Sequence, residues 1–149
     1  MTGRWYEDYE VGEEIRSPAK TLTETEIIQF AFTYDPQPFH IDKRAAEASI
    51  YQGLIASGWH VASIAFRLLT ATGVLGEASL GSPGIDELRW PKPVRPGDSI
   101  ATIVRIADKR PSRSKPDRGI VTLDYRVVNQ DEEVVMTMRG IQFIRRREA

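Results

Sequence analysis

At 149 residues the chain is one domain's length, enough to bury about 68–70% of its unfolded surface. A hydrophobic content of 41% and a charged content of 28% are ordinary for a soluble globular protein, and a net charge of −1 gives no pull toward nucleic acid or an anionic membrane. The absence of cysteine excludes disulfides, thiolate nucleophiles and cysteine metal sites. No apolar run reaches membrane-spanning length and the polar opening residues contain no apolar signal core, so the expected compartment is the cytoplasm.

In chain order, Val11–Arg16 reads as a weak strand behind the aromatic pair Trp5 and Tyr6. Thr23 and Glu26 form a capping box for a helix over Glu24–Thr33, with Ile27, Ile28, Phe30, Ala31 and Phe32 leaving one side polar. A proline-stiffened segment follows, then a short helix over Lys43–Ala48. Ser57-Gly58 opens a longer helix, Trp59–Ala71, which is apolar almost all round and is therefore expected to be buried. Residues 73–84 form a long loop, and Ile85–Trp90 begins a strand that Pro91 and Pro93 interrupt. Arg95-Pro96-Gly97-Asp98 reads as a type II turn. Strands are expected at Ser99–Ala107, Gly119–Val128 and Glu133–Ile144. In the second of these, Val121, Leu123, Tyr125 and Val127 alternate with Thr122, Asp124 and Arg126. In the third the apolar set changes parity at Gly140, which suggests a bulge there. Helices first and antiparallel strands afterwards indicate an α+β domain over residues 1–149, a curved antiparallel sheet around one long central helix.

Asp35-Pro36-Gln37-Pro38-Phe39-His40 concentrates the chemistry. Across a strand, five residues span roughly 16 Å, and in a helix the two polar side chains would be about 7.5 Å apart along the axis and on separate faces. Pro36 and Pro38 each remove a donor and push the preceding residue from helical angles, so a stiff bend can present Asp35 and His40 to one cavity. On residue type alone Asp35 also suits a helix-end cap and His40 a packed core position. Ser57 is expected to be a helix N-cap more than a site partner, and His60 a structural residue. Ile55 stands where a nucleophile elbow around Ser57 needs glycine. The two histidines lack metal-ligand spacing, so no metal is expected.

This segment resembles the Asp-x-Asn-Pro-(Leu/Ile)-His signature of the MaoC-like acyl dehydratases, which include the (R)-specific enoyl-CoA hydratases. Ile55-Ala56-Ser57-Gly58, the opening Tyr6-Glu7-Asp8-Tyr9-Glu10-Val11-Gly12 and Lys92-Pro93-Val94-Arg95-Pro96-Gly97-Asp98 are similar to further blocks of that family. The resemblance implies a single hot-dog fold, a homodimer or larger homo-oligomer with sites near a subunit interface, and coenzyme A thioesters as substrates. No cofactor is implied beyond the coenzyme A the substrate carries. Three residues depart from the family pattern: Gln37 stands for Asn, Phe39 for an aliphatic residue, and Tyr34 for a small residue before the Asp.

The implied activity is reversible hydration of a 2-enoyl-CoA, or dehydration of the (R)-3-hydroxyacyl-CoA. Asp35 would activate water and His40 donate the proton at the alpha carbon. The N–H of Gly58, at the start of the buried helix, is the candidate donor to the thioester oxygen. Gln37, Phe39 and Ser57 are expected at the substrate. Arg113, Lys115 and Arg118, in the basic segment Arg105–Arg118, are expected either to meet coenzyme A phosphates or to form a solubilising hairpin tip. Arg145-Arg146-Arg147 reads as a solvated tail. A hot-dog thioesterase is the first alternative, disfavoured by the lack of an acidic residue in Trp59–Ala71. A non-catalytic acyl-CoA-binding protein is the second, opposed only by the Asp35/His40 pair.

Overall fold

The computed structural model describes residues 3–148. Strands β1 (Glu14–Arg16) and β2 (Lys20–Thr21) precede helices α1 (Glu24–Tyr34), α2 (Pro38–Ile41), α3 (Lys43–Glu47) and α4 (Gly58–Ala71), and β3 (Gly84–Arg89), β4 (Ser99–Pro111), β5 (Arg118–Val128) and β6 (Val134–Arg145) complete the chain. The antiparallel sheet has the order β1-β4-β5-β6-β3, with β2 paired to the start of β4. This is the α+β hot-dog arrangement, a sheet curved round one long helix.

The alternation in β5 does what its period requires: Val121, Leu123, Tyr125 and Val127 are buried. They pack with Val104 and Ile106 of β4 and Met136, Met138 and Ile144 of β6 against Val61, Ile64, Ala65 and Leu69 of α4. The Thr102 hydroxyl of β4 donates to the Ala65 carbonyl at 2.8 Å, pinning the helix to the sheet at mid-length. Truncating Leu69, which is fully buried here, would cost about 2–5 kcal/mol by lost transfer energy and the cavity left behind.

Four expectations need correction. The helix α4 is wrapped on one side only: Trp59 is 59% exposed and Phe66 42%, so its apolar outer face is open in the single chain. Gly140 forms no bulge. The strand β6 holds one register with β5 from Met136 to Arg145, and Met136, Met138, Gly140, Gln142 and Ile144 all face inward. A Cβ at Gly140 would lie 2.9 Å from Cε1 of Tyr125, so the glycine makes room for that ring, and the irregularity falls at Val127/Val128 instead. The short helix α2 was not expected, although Pro38 at its first position is a start signal. Finally, residues 145–147 are tied down: Arg147 makes a two-pronged pair with Asp8 at 2.7 Å, and the Arg146 N–H donates to the Asp117 carbonyl.

The other elements follow their sequence signals. Thr23 and Glu26 form the reciprocal capping box of α1. Gly97, at φ +90°, sits third in the Arg95–Asp98 turn, closed by the Asp98 N–H on the Arg95 carbonyl. Among the described residues no helix is long and apolar enough to cross a membrane.

Candidate active site

Asp35 ends α1, its N–H still bonded to the Ala31 carbonyl at 2.8 Å. Gln37, before Pro38, takes the extended angles φ −75° and ψ 143° that a following proline favours. The chain then turns into α2, bringing His40 back toward Asp35. The Nε2 atom of His40 lies 3.2 Å from Oδ2 of Asp35, with side-chain exposures of 5% and 15%. The proline bend thus does what its residues predict.

Both members of the pair are held from behind. The Ser57 hydroxyl donates to Asp35 Oδ2 at 2.7 Å, and Gln37 Nε2 donates to Oδ1 at 2.7 Å. Nδ1 of His40 lies 2.7 Å from the Ile55 carbonyl. A carbonyl only accepts, so Nδ1 carries a proton and Nε2 is the atom turned to the carboxylate. The Ile55 N–H bonds the Phe39 carbonyl and the Ala56 N–H bonds the Val94 carbonyl, which fixes the segment that orients the ring.

Burial acts to raise the Asp35 carboxyl, but the Ser57 and Gln37 hydrogen bonds and the neighbouring His40 outweigh it. The net direction is below the ordinary carboxylate value of 3.8. Asp35 is therefore an anion at neutral pH. Facing it, Nε2 of His40 makes a favourable contact only when it carries a proton. A carboxylate oxygen and an imidazole nitrogen thus face each other within hydrogen-bonding reach.

Both residues line a cleft of about 520 Å³ with Gln37, Phe39, Tyr51, Gly58, Trp59 and Trp90, and with Lys92 among its remaining walls. Gly58 is the first residue of α4, where N–H groups have no acceptor within the helix. A Cβ there would lie 2.5 Å from the Trp90 ring, so the glycine also seats that indole over the helix start. Phe39 packs edge-on to His40, with centroids 4.5 Å apart, and against Tyr51 at 5.2 Å.

Among the residues expected at the site, the structure gathers Asp35, Gln37, Phe39, His40, Ser57 and Gly58. Ser57 is fully buried and its hydroxyl serves Asp35, with no capping bond to the helix. Arg113, Lys115 and Arg118 are not brought to the cleft. They belong to the β4–β5 hairpin tip, whose flank packs by Lys109 and Gly119 on Tyr6, while Ser99, at the opposite end of β4, pairs with β2 just before α1. Arg118 is paired with Asp117. The cation that lines the cleft is Lys92, ion-paired with Glu133. Tyr51, Trp90 and Lys92 were not singled out from sequence. Among the described residues no cluster of His, Asp or Glu is arranged to hold a metal ion.

A family model described as the MaoC like domain matches residues 8–129. The chain belongs to the MaoC-like dehydratase family. Among the relatives of this chain, the uncharacterized protein YdeM of Bacillus subtilis is 30% identical over 126 residues, covering 85% of this chain and 88% of that one. The MaoC-like dehydratase of Rhodospirillum rubrum superimposes with a TM-score of 0.92 at 39% identity, over 99% of this chain and 100% of the other. An (R)-hydratase of A. caviae involved in PHA biosynthesis gives 0.74 at 27% identity, over 91% and 96%. Dehydratase or hydratase chemistry is thus the family's activity, and the cleft of this MaoC-like chain holds an acid/base pair suited to it.

Proposed function

We propose that the protein adds water reversibly across the double bond of a 2-enoyl-CoA, or removes it from the (R)-3-hydroxyacyl-CoA. The supporting observation is the 3.2 Å contact between Asp35 and Nε2 of His40 inside the cleft. In the hydration direction Asp35 takes a proton from water as the water oxygen bonds to the beta carbon. The double-bond electrons move toward the thioester, whose oxygen accepts from the Gly58 N–H. His40 then delivers its Nε2 proton to the alpha carbon. Asp35 ends protonated and His40 neutral, and their direct contact lets the proton return to Nε2 for the next turnover. Each positioned proton transfer is worth roughly 10²–10⁴-fold in rate, and one oxyanion donor about 10²–10³-fold.

Gln37 and Ser57 keep the Asp35 carboxylate oriented, and Phe39 braces the imidazole. In this reading Lys92, which lines the cleft while the hairpin-tip cations do not, would meet the phosphates of the coenzyme. The open outer face of α4 and the unpaired edge of β3 support a homodimer or larger homo-oligomer. Loss of enoyl absorbance with crotonyl-CoA and longer enoyl-CoAs tests the reaction. Asp35→Asn and His40→Ala are each expected to lower kcat/KM at least about 100-fold, and wild-type rates in both variants would remove these residues from the chemistry. Release of free thiol from acyl-CoA would point to hydrolysis instead.

A further inference from the structure

Tyr51 lines the catalytic cleft from the loop between α3 and α4, and neither proton transfer uses it. The charged and amide side chains of the cleft are already engaged: Asp35 with Ser57 and His40, Gln37 on Asp35, and Lys92 on Glu133. The Tyr51 backbone is bonded through both its N–H and its carbonyl, but its hydroxyl makes no hydrogen bond among the described residues. We propose that this hydroxyl donates to an amide carbonyl of the pantetheine arm, which makes Tyr51 a substrate-binding residue that selects for pantetheine thioesters. The proposal rests on the thioester-hydratase reading above and adds a specificity contact to it.

Three observations carry it. First, the side chains run in the order of the substrate's atoms. Asp35 serves the beta carbon and His40 the alpha carbon. Next come Phe39, with its centroid 4.5 Å from the His40 ring, and Tyr51, 5.2 Å from Phe39. A thioester laid along this row brings its sulfur and then its amides toward Tyr51. Second, the loop is built to hold the residue. The Ser49 hydroxyl accepts from the Tyr51 N–H at 3.1 Å, and the Arg95 guanidinium donates to the Tyr51 carbonyl at 2.6 Å. A Cβ at Gly53 would lie 3.2 Å from that guanidinium, so the glycine leaves it room. Gln52 takes φ +56°, a left-handed conformation disfavoured for glutamine and of the kind that gathers at ligand sites. Third, the half-buried phenol needs an acceptor once a substrate displaces water from the cleft. The Gly58 N–H takes the thioester oxygen, and the amide carbonyls are the next acceptors along the arm.

Tyr51→Phe removes the hydroxyl and keeps the ring against Phe39, so folding is preserved. The test compares variant and wild type on crotonyl-CoA and on crotonyl-pantetheine, which has the amides but neither phosphate nor nucleotide. One neutral hydrogen bond made equally in ground and transition states predicts a KM raised roughly three- to tenfold with both substrates, at a kcat changed less than about twofold. That pattern supports the contact. Any other pattern overturns it: an unchanged KM removes the hydrogen bond, a rise with crotonyl-CoA alone moves it to the nucleotide, and a fall in kcat makes Tyr51 a prop for Phe39 and His40. A wild-type protein that hydrates no enoyl-CoA overturns the hydratase reading itself, a result distinguishable from an unchanged KM.

Discussion

Gly58 carries two duties in a single residue, which makes its substitution informative. Its N–H opens the helix beside the acid/base pair, and its bare Cα accepts the Trp90 ring. Gly58→Ala should push the half-exposed indole outward and lower kcat by about 10²-fold or more, the loss of one oxyanion donor's alignment, while the buried core stays intact. A red-shifted tryptophan emission with an unchanged unfolding midpoint is the expected signature, and full activity would remove the N–H from the proposed role. Asp35 and His40 were legible in the sequence because the X-Pro restrictions at Asp35 and Gln37 leave few backbone paths between them. Ser57 was misread because serine before a helix usually caps it, and nothing local reveals that a carboxylate 22 positions earlier in the chain competes for the hydroxyl. Lys92 and Trp90 escaped for the same reason: their place beside the cleft is set by tertiary contacts, Trp90 against Gly58 and Lys92 with Glu133.

Between α1 and α4 lies a titratable ring that the chemistry does not use. His60 of α4 is 6% exposed, its Nδ1 has no hydrogen-bond partner, and it stacks on Phe30 of α1. Burial holds its pKa below the ordinary 6.5, with Glu26 of α1 opposing and Lys20 of β2 adding to the shift. The folded chain therefore resists a proton that the unfolded chain accepts. This part of the stability is complete above the ordinary value and is lost as pH falls from there toward the lowered one. His60→Leu keeps the apolar contact and removes the titration, so its urea midpoint should fall less than that of wild type between about pH 7.5 and about pH 5.5. Equal falls in both proteins would contradict the assignment. The helices were readable from caps and period, as with Thr23 and Glu26, but the exposure of α4 was not. Hydrophobicity around a helix says that apolar partners exist, and Trp59 and Phe66 leave open whether a partner belongs to the same chain. Gly140 failed differently: with Ile141 and Phe143 apolar on the outward face, composition mimicked a parity change that the ladder never makes.

At the scale of the molecule, the curved sheet and its helix were legible from alternating strands around one apolar helix, while the distance between the basic hairpin and the cleft was not. That distance depends on β4 running 13 residues from the β2 end to the hairpin tip, and the expected boundary at Ala107 hid its length. The ion pairs that tie Arg147 to Asp8 and Arg146 to Glu7 have a practical consequence for the topology. Residues 6–8 and 146–147 sit side by side, so the fold is nearly a closed ring of chain with the hairpin tip as an exposed point on it. A circular permutant that joins these two stretches with a short Gly-Ser linker and opens between Arg113 and Ser114 leaves every strand and the Asp35–His40 bend uncut. It should unfold in one cooperative transition and match the unpermuted chain in the proposed enoyl-CoA hydration, measured by circular dichroism and enoyl absorbance. The order in which the elements are synthesised would then be separable from the architecture they build.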